Sequence, residues 1–278
     1  MLEAVNRHSI YADSKTFVDM PMRFSPQNTH REFIRRFGNE SVDEIDARKL
    51  RKFLLEHFTE PGSELETCEP SDWHHEPIKL IRINDVDLRN WAMRLNEMWL
   101  QLCRKMKKEV DGDDRHSLIY VPNEFIVPGG RFREYYYWDT YWTVKGLVAS
   151  GMLNTVKSMI RNFESIVDRY GFIPNGGRVY YLGRSQPPMF IPIVYEYFEQ
   201  TKDVQFLKSI LPALLKEFRF WNENRLANVT GQDGRTHQVY QYRSETNVPR
   251  PESFREDFNN AAKLPPSQRS KFYQVHKN

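Results

Sequence analysis

The chain has 278 residues, 40 of them basic and 37 acidic, for a formal charge of +3. That length supports one large domain or two small ones with a substantial core, and the near-balanced charge argues against a nucleic-acid partner. Cys68 and Cys103 are the only cysteines, so the chain forms one disulfide or none, and no apolar run approaches a membrane span.

The opening Met1-Leu2-Glu3-Ala4-Val5-Asn6-Arg7-His8 lacks the apolar core of a signal peptide. Asn39-Glu40-Ser41 and Asn228-Val229-Thr230 are glycosylation acceptors if the protein is secreted, which leaves the compartment open. A helix is predicted over Asp43–His57. Trp73-His74-His75 reads as a surface loop, because two adjacent histidines point in different directions on either regular structure and no matching ligand cluster lies nearby. From Leu88, the apolar residues Trp91, Ala92, Leu95, Met98, Trp99, Leu102 and Met106 recur at helical spacing. Asp85 or Asp87 begins this predicted helix, and Arg104, Lys105, Lys107 and Lys108 make a solvated basic end.

Further helices are predicted at Tyr141–Ser150, Leu153–Tyr170, Pro192–Thr201 and Val204–Arg225. In the last, Phe206, Ile210, Leu214, Phe218 and Trp221 share a face, and Pro212 is a candidate kink or break. The best strand is Arg178-Val179-Tyr180-Tyr181-Leu182, placed after Asn175-Gly176-Gly177 as after a hairpin turn. With no clear repeat, low-complexity segment or linker, residues 1–278 read as one helix-rich unit with polar loops.

The loops hold the chemistry. Pro128-Gly129-Gly130-Arg131-Phe132-Arg133-Glu134-Tyr135-Tyr136-Tyr137-Trp138-Asp139-Thr140-Tyr141-Trp142 packs charges and aromatic rings behind a glycine pair that permits tight turning. Aromatic faces suit the C–H faces of a sugar, and guanidinium and carboxylate groups suit its hydroxyls. The competing reading is a buried aromatic cluster whose charges pair with one another. Gly171-Phe172-Ile173-Pro174-Asn175-Gly176-Gly177, Gly183-Arg184-Ser185-Gln186-Pro187-Pro188 and Arg250-Pro251-Glu252-Ser253-Phe254-Arg255-Glu256-Asp257 add amides, bases and acids of the same kind, with no metal cluster among them.

In this order the four motifs resemble those of the α,α-trehalases, an inverting glycoside hydrolase family, and Ala12-Asp13-Ser14-Lys15-Thr16-Phe17-Val18-Asp19-Met20 resembles that family's N-terminal segment. The resemblance covers nearly the whole chain. It implies an all-α fold, an (α/α)6 toroid of which about the N-terminal half is present, and hydrolysis of trehalose to two glucoses with no cofactor. It also assigns substrate binding to Arg131, Trp138, Asp139, Asn175, Arg184, Ser185, Gln186, Arg250, Pro251 and Glu252. Arg133 and Glu134 are expected to form an ion pair behind the site. Half a toroid is expected to leave a wide apolar helix face without partners.

An inverting glycosidase needs one carboxylic acid and one carboxylate about 6.5–9.5 Å apart. The resemblance places the acid in a Glu-Ser-Gly-Trp-Asp-Phe-like motif, after the helical stretch from Pro265 to Asn278 and about a dozen residues beyond it. The base belongs to the family's C-terminal half. The expectation is therefore a truncated chain with no catalytic residue of its own. Asp139 and Glu252 are poor substitutes, because carboxylates beside arginines make weak proton donors. The alternative is a non-catalytic sugar-binding or decoy fragment. The sequence leaves the oligomeric state open.

Overall fold

Two apolar clusters organise the chain, a small one at the N-terminus and a larger one over the remainder. The computed structural model describes residues 1–244 and 246–275, without the side chains of 274 and 275. Helices α1 (Leu2–Arg7), α2 (Lys15–Val18), α3 (Pro26–Phe37) and α4 (Ala47–His57) build the small cluster. Helix α3 starts where Ser25 accepts the Asn28 N–H and Pro26 takes the first helical position. Helix α4 starts later than the predicted Asp43, because Asp46 is its cap and accepts the Arg48 and Lys49 N–H groups. Their inner faces bring together Phe33, Phe37, Leu50, Phe53 and Leu54.

Strands β1 (Leu65–Thr67), β2 (Cys103–Met106) and β3 (Phe125–Ile126) form an antiparallel sheet in that order. Between β1 and β2 lie α5 (Ile78–Ile81) and α6 (Val86–Leu102), and Asp85 caps α6 by accepting the Leu88 N–H. The helix predicted to reach Met106 thus stops at Leu102. The next four residues pair with both neighbouring strands, which places Arg104 and Lys105 on a strand rather than at a helix end. A disulfide joins Cys68 to Cys103 across 5.2 Å between Cα atoms, resolving the choice that the sequence left open.

Four longer helices follow, α7 (Tyr137–Ala149), α8 (Leu153–Tyr170), α9 (Phe190–Thr201) and α10 (Val204–Asn224). Each touches the next, while α7 also packs on α9 and α8 on α10, so the helices form two rows. Helix α10 runs through Pro212 without a break. Strands β4 (Leu226–Thr230) and β5 (Thr236–Tyr240) then make a hairpin, followed by α11 (Phe254–Ala262) and α12 (Pro266–Val275). His276, Lys277 and Asn278, the end of the stretch predicted from Pro265, lie outside the described residues.

The predicted strand at Arg178–Leu182 is not one. Val179–Tyr181 form a single 3-10 turn, and Gly177 serves close packing instead of a hairpin. A Cβ on Gly177 would come within 2.6 Å of the Tyr135 ring. Among the described residues no helix is long and apolar enough to cross a membrane. Apolar rows do face outward, with Trp91, Leu95 and Met98 on α6, Trp142 on α7, and Leu211, Leu215 and Phe218 on α10. Such uncovered rows are what part of an α/α layer exposes.

A buried ion network ties the N-terminal helices to the rest. Lys15 Nζ lies 2.6 Å from Asp19 Oδ2 and 2.8 Å from Glu134 Oε1. Arg178 bridges onward, with Nη1 2.9 Å from Glu64 Oε1 and Nε 3.3 Å from Glu134 Oε2. The expected pairing of Arg133 with Glu134 is replaced: Glu134 bonds Lys15 and Arg178, and Arg133 reaches Asp19 at 3.7 Å. Burial pushes the Glu134 carboxyl up, yet Arg178, Lys15 and the Tyr136 hydroxyl together hold it below the usual range. Removing one member strands the other charges out of water. Arg178→Leu should therefore destabilise the chain by about 3–5 kcal/mol in urea unfolding.

Candidate functional site

The glycine pair before the densest motif makes a tight turn. Gly129 and Gly130 have φ of 104° and 60°, and the Phe132 N–H donates back to the Gly129 carbonyl at 3.1 Å. This turn delivers Arg131, whose Nη2 donates to Asp13 Oδ1 at 2.7 Å and to the Glu252 carbonyl at 3.0 Å. One guanidinium thereby joins the N-terminal segment, the glycine turn and the Arg250–Glu252 loop.

Trp138 and Asp139 lie in the first turn of α7, which has no cap from its own preceding residue. Gln186 supplies one from the next loop. Its Oε1 accepts the Trp138 N–H at 2.9 Å, and its Nε2 donates to Asp139 Oδ2 at 3.4 Å. The Trp138 ring is 44% exposed. Asn175 is anchored through its backbone, its N–H donating to the Arg184 carbonyl at 3.1 Å.

These residues share a cavity of about 340 Å³, lined by Arg131, Trp138, Asp139, Asn175, Gln186, Arg250 and Glu252. Lys15, Phe132, Tyr136, Tyr181 and Ser253 complete its wall. Arg184 and Ser185 are buried and stand behind it. Arg184 Nη2 bonds Glu252 Oε1, while Ser185 Oγ donates to the Ile173 carbonyl at 2.8 Å. Pro251 opens a 3-10 turn that presents Glu252. Arg250 is held by Asp257 through Nε at 2.8 Å and Nη2 at 2.7 Å, and that pairing holds its guanidinium above its usual range. Arg131 Nε and Glu252 Oε2 are buried polar atoms without a partner among the described residues.

The sequence missed Lys15, Tyr136 and Tyr181. Lys15 belongs to the quoted N-terminal segment but was given no role of its own, and Tyr181 was assigned to a strand. Both reach the cavity through tertiary contacts. The Tyr136 hydroxyl donates to Glu134 Oε1 at 2.5 Å and lies 2.8 Å from the Tyr181 hydroxyl, so the ion network forms the cavity floor. Burial, and then the neighbouring Glu134 charge, raise both phenols above their usual range.

A helical scaffold here carries a pocket of arginine, carboxylate, amide and indole groups, which are able to contact a polyhydroxyl ligand. The comparisons with known proteins narrow this class. The Trehalase family model matches residues 9–278, and the chain belongs to the trehalase family. It is 48% identical to a trehalase of Apis mellifera, over 93% of this chain and 41% of that protein. It is 41% identical to a trehalase of Homo sapiens, over 97% of this chain and 46% of that protein. The chain thus spans about half the length of the curated relatives it matches. A solved structure, neutral trehalase Nth1 from Saccharomyces cerevisiae, is 26% identical and covers 56% of this chain and 30% of that one, at a TM-score of 0.42.

Glu217 of α10 lies behind the same walls, 3% exposed, and accepts the Tyr137 hydroxyl proton. Burial pushes its carboxyl up to about 7, against the opposing pull of Tyr137 and the Ile173 N–H. A carboxyl raised in this way takes up a proton on folding. Its contribution to stability is fully present below about pH 4.5 and is lost as pH rises through about 7. Glu217→Gln should therefore reduce the loss of stability between those two pH values by roughly 3 kcal/mol, read from urea unfolding at each pH.

Proposed function

We propose that this chain carries the trehalose-recognition part of a trehalase site, and that the acid and base that cut the linkage lie outside these 278 residues. The observation that supports the reading is the shared cavity: seven side chains from four separate motifs line one opening. Family membership gives the substrate class, since relatives over almost the whole of this chain are trehalases.

The chemistry fits a polyhydroxyl ligand. Each hydroxyl donates one hydrogen bond and accepts two, so it bridges a guanidinium such as Arg131 and a carboxylate such as Asp139. The exposed Trp138 ring offers an apolar face to sugar C–H groups. Inverting hydrolysis requires one carboxylic acid to protonate the bridging oxygen and one carboxylate to deprotonate the attacking water. Each of the two pocket carboxyls has one oxygen engaged: Glu252 Oε1 bonds Arg184, and Asp139 Oδ2 receives the Gln186 amide at 3.4 Å. Both are suited to holding hydroxyls.

The 278-residue chain is expected to bind trehalose saturably in calorimetry and to release no glucose from it. Asp139→Ala and Arg131→Ala should each weaken binding by about 10–100-fold, the loss of one charge-assisted hydrogen bond. Glucose release by the purified chain would overturn the assignment of catalysis to other residues. Absence of any binding would overturn the recognition role.

A further inference from the structure

Helix α9 begins directly after the Gly183–Pro188 loop, and no side chain at its own N-terminus caps it. Its first free N–H groups, those of Met189 and Phe190, both donate to the Tyr137 hydroxyl at 3.0 Å. That hydroxyl then has one proton left, and gives it to Glu217 Oε1. The Ile173 N–H, in the loop that carries Asn175, faces the same carboxyl and opposes the upward push of burial on it. Ser185 closes the circuit by bonding the Ile173 carbonyl at 2.8 Å. Tyr137 itself immediately precedes Trp138 and Asp139 and is fully buried.

One carboxyl on α10 thus gathers three segments that line the cavity: the first turn of α7, the Gly171–Gly177 loop and the end of the Gly183–Pro188 loop. We propose that Glu217 is a positioning residue that locks these three segments in register and so sets the affinity of the pocket, without touching the ligand. The affinity part of this proposal rests on the trehalose reading of the site, whereas the lock does not. An apolar residue would fill the space equally well. Only an acceptor there satisfies the Tyr137 proton, and through Tyr137 it fixes the start of α9. The geometry also explains why the short loops need no internal sheet to hold them.

The test uses the full chain and three variants, Glu217→Leu, Glu217→Gln and Tyr137→Phe. Amide hydrogen exchange is followed at Ile173, Met189 and Phe190, with Leu50 and Phe53 of α4 as controls for global unfolding. In Glu217→Leu and Tyr137→Phe the three loop amides should exchange at least about tenfold faster than the controls change. Glu217→Gln keeps an acceptor and should restore most of the protection. Trehalose affinity should fall about tenfold in the first two variants and recover in Glu217→Gln. Unchanged exchange at all three amides in Tyr137→Phe and Glu217→Leu would overturn the lock. Unchanged affinity despite faster exchange would overturn its role in setting affinity. If the unaltered chain binds no trehalose, the recognition reading falls, and the exchange arm still decides the lock. Should Glu217→Leu fail to fold, Tyr137→Phe and Glu217→Gln carry the comparison.

Discussion

The cavity wall is tied at Lys15 and Tyr136 to a buried ion network of Lys15, Asp19, Glu64, Glu134 and Arg178. Taking five ionisable groups out of water costs several kcal/mol per ion unless each finds partners. Here nearly all do. Tyr180 donates to Asp19 at 2.7 Å, Ser117 receives a proton from Arg178 at 2.9 Å, and half-exposed Arg133 balances the third carboxylate from 3.7 Å. Among the described residues Glu64 Oε2 and Arg178 Nη2 have no partner, so the arrangement is costly. Its return is register. The residues come from the α2 segment, from before β1, from before α7 and from the 3-10 turn, and their pairing ties these segments together. Lys15 and Tyr136 carry that register directly into the cavity wall.

The same division of labour runs through the pocket. Arg250 is held by Asp257, Arg184 by Glu252, and Gln186 spans Trp138 and Asp139. These bonds fix side chains before any ligand arrives, which lowers the entropy lost on binding. The Trp138 ring and the Asn175 side chain are left facing the opening, and they gain partners only when it is filled. A site built in this way recognises shape through groups that are already in place.

Much of the helical scaffold was legible because its signal is local. In α8 and α10 one face packs and the other does not, so Phe206, Ile210, Leu214 and Trp221 announce themselves by spacing alone. The errors came where tertiary contacts decide. Cys103–Met106 continues the helical pattern of α6, yet strands on both sides capture it. Val179-Tyr180-Tyr181 has the composition of a strand, but Arg178 is drawn inward to three carboxylates and the backbone curls after it. A sheet whose strands run from two to four residues leaves too short a pattern to read. In the pocket, Arg131, Trp138, Asp139, Asn175, Gln186, Arg250 and Glu252 could be named because they fall in motifs whose residues and order resemble those of the trehalases. Lys15 and Tyr181 could not, because their place depends on contacts over 119 residues and 45 residues of chain.

Glu217 shows the limit of motif reading most clearly. It lies in α10 between Lys216 and Phe218, outside every motif that attracted notice. Its spacing from Ile210, Ala213, Leu214 and Trp221 puts it on their buried face, where an apolar residue is the expectation. Its carboxyl is used where α10 crosses behind the loops, because the Tyr137 hydroxyl donates to it there and the Ile173 N–H faces it. The loops that bear the recognition residues are rich in glycine and proline, so they cannot bond themselves into a sheet or helix. Their order has to be imported from a rigid element, and a single acceptor on a long helix is a direct way to supply it.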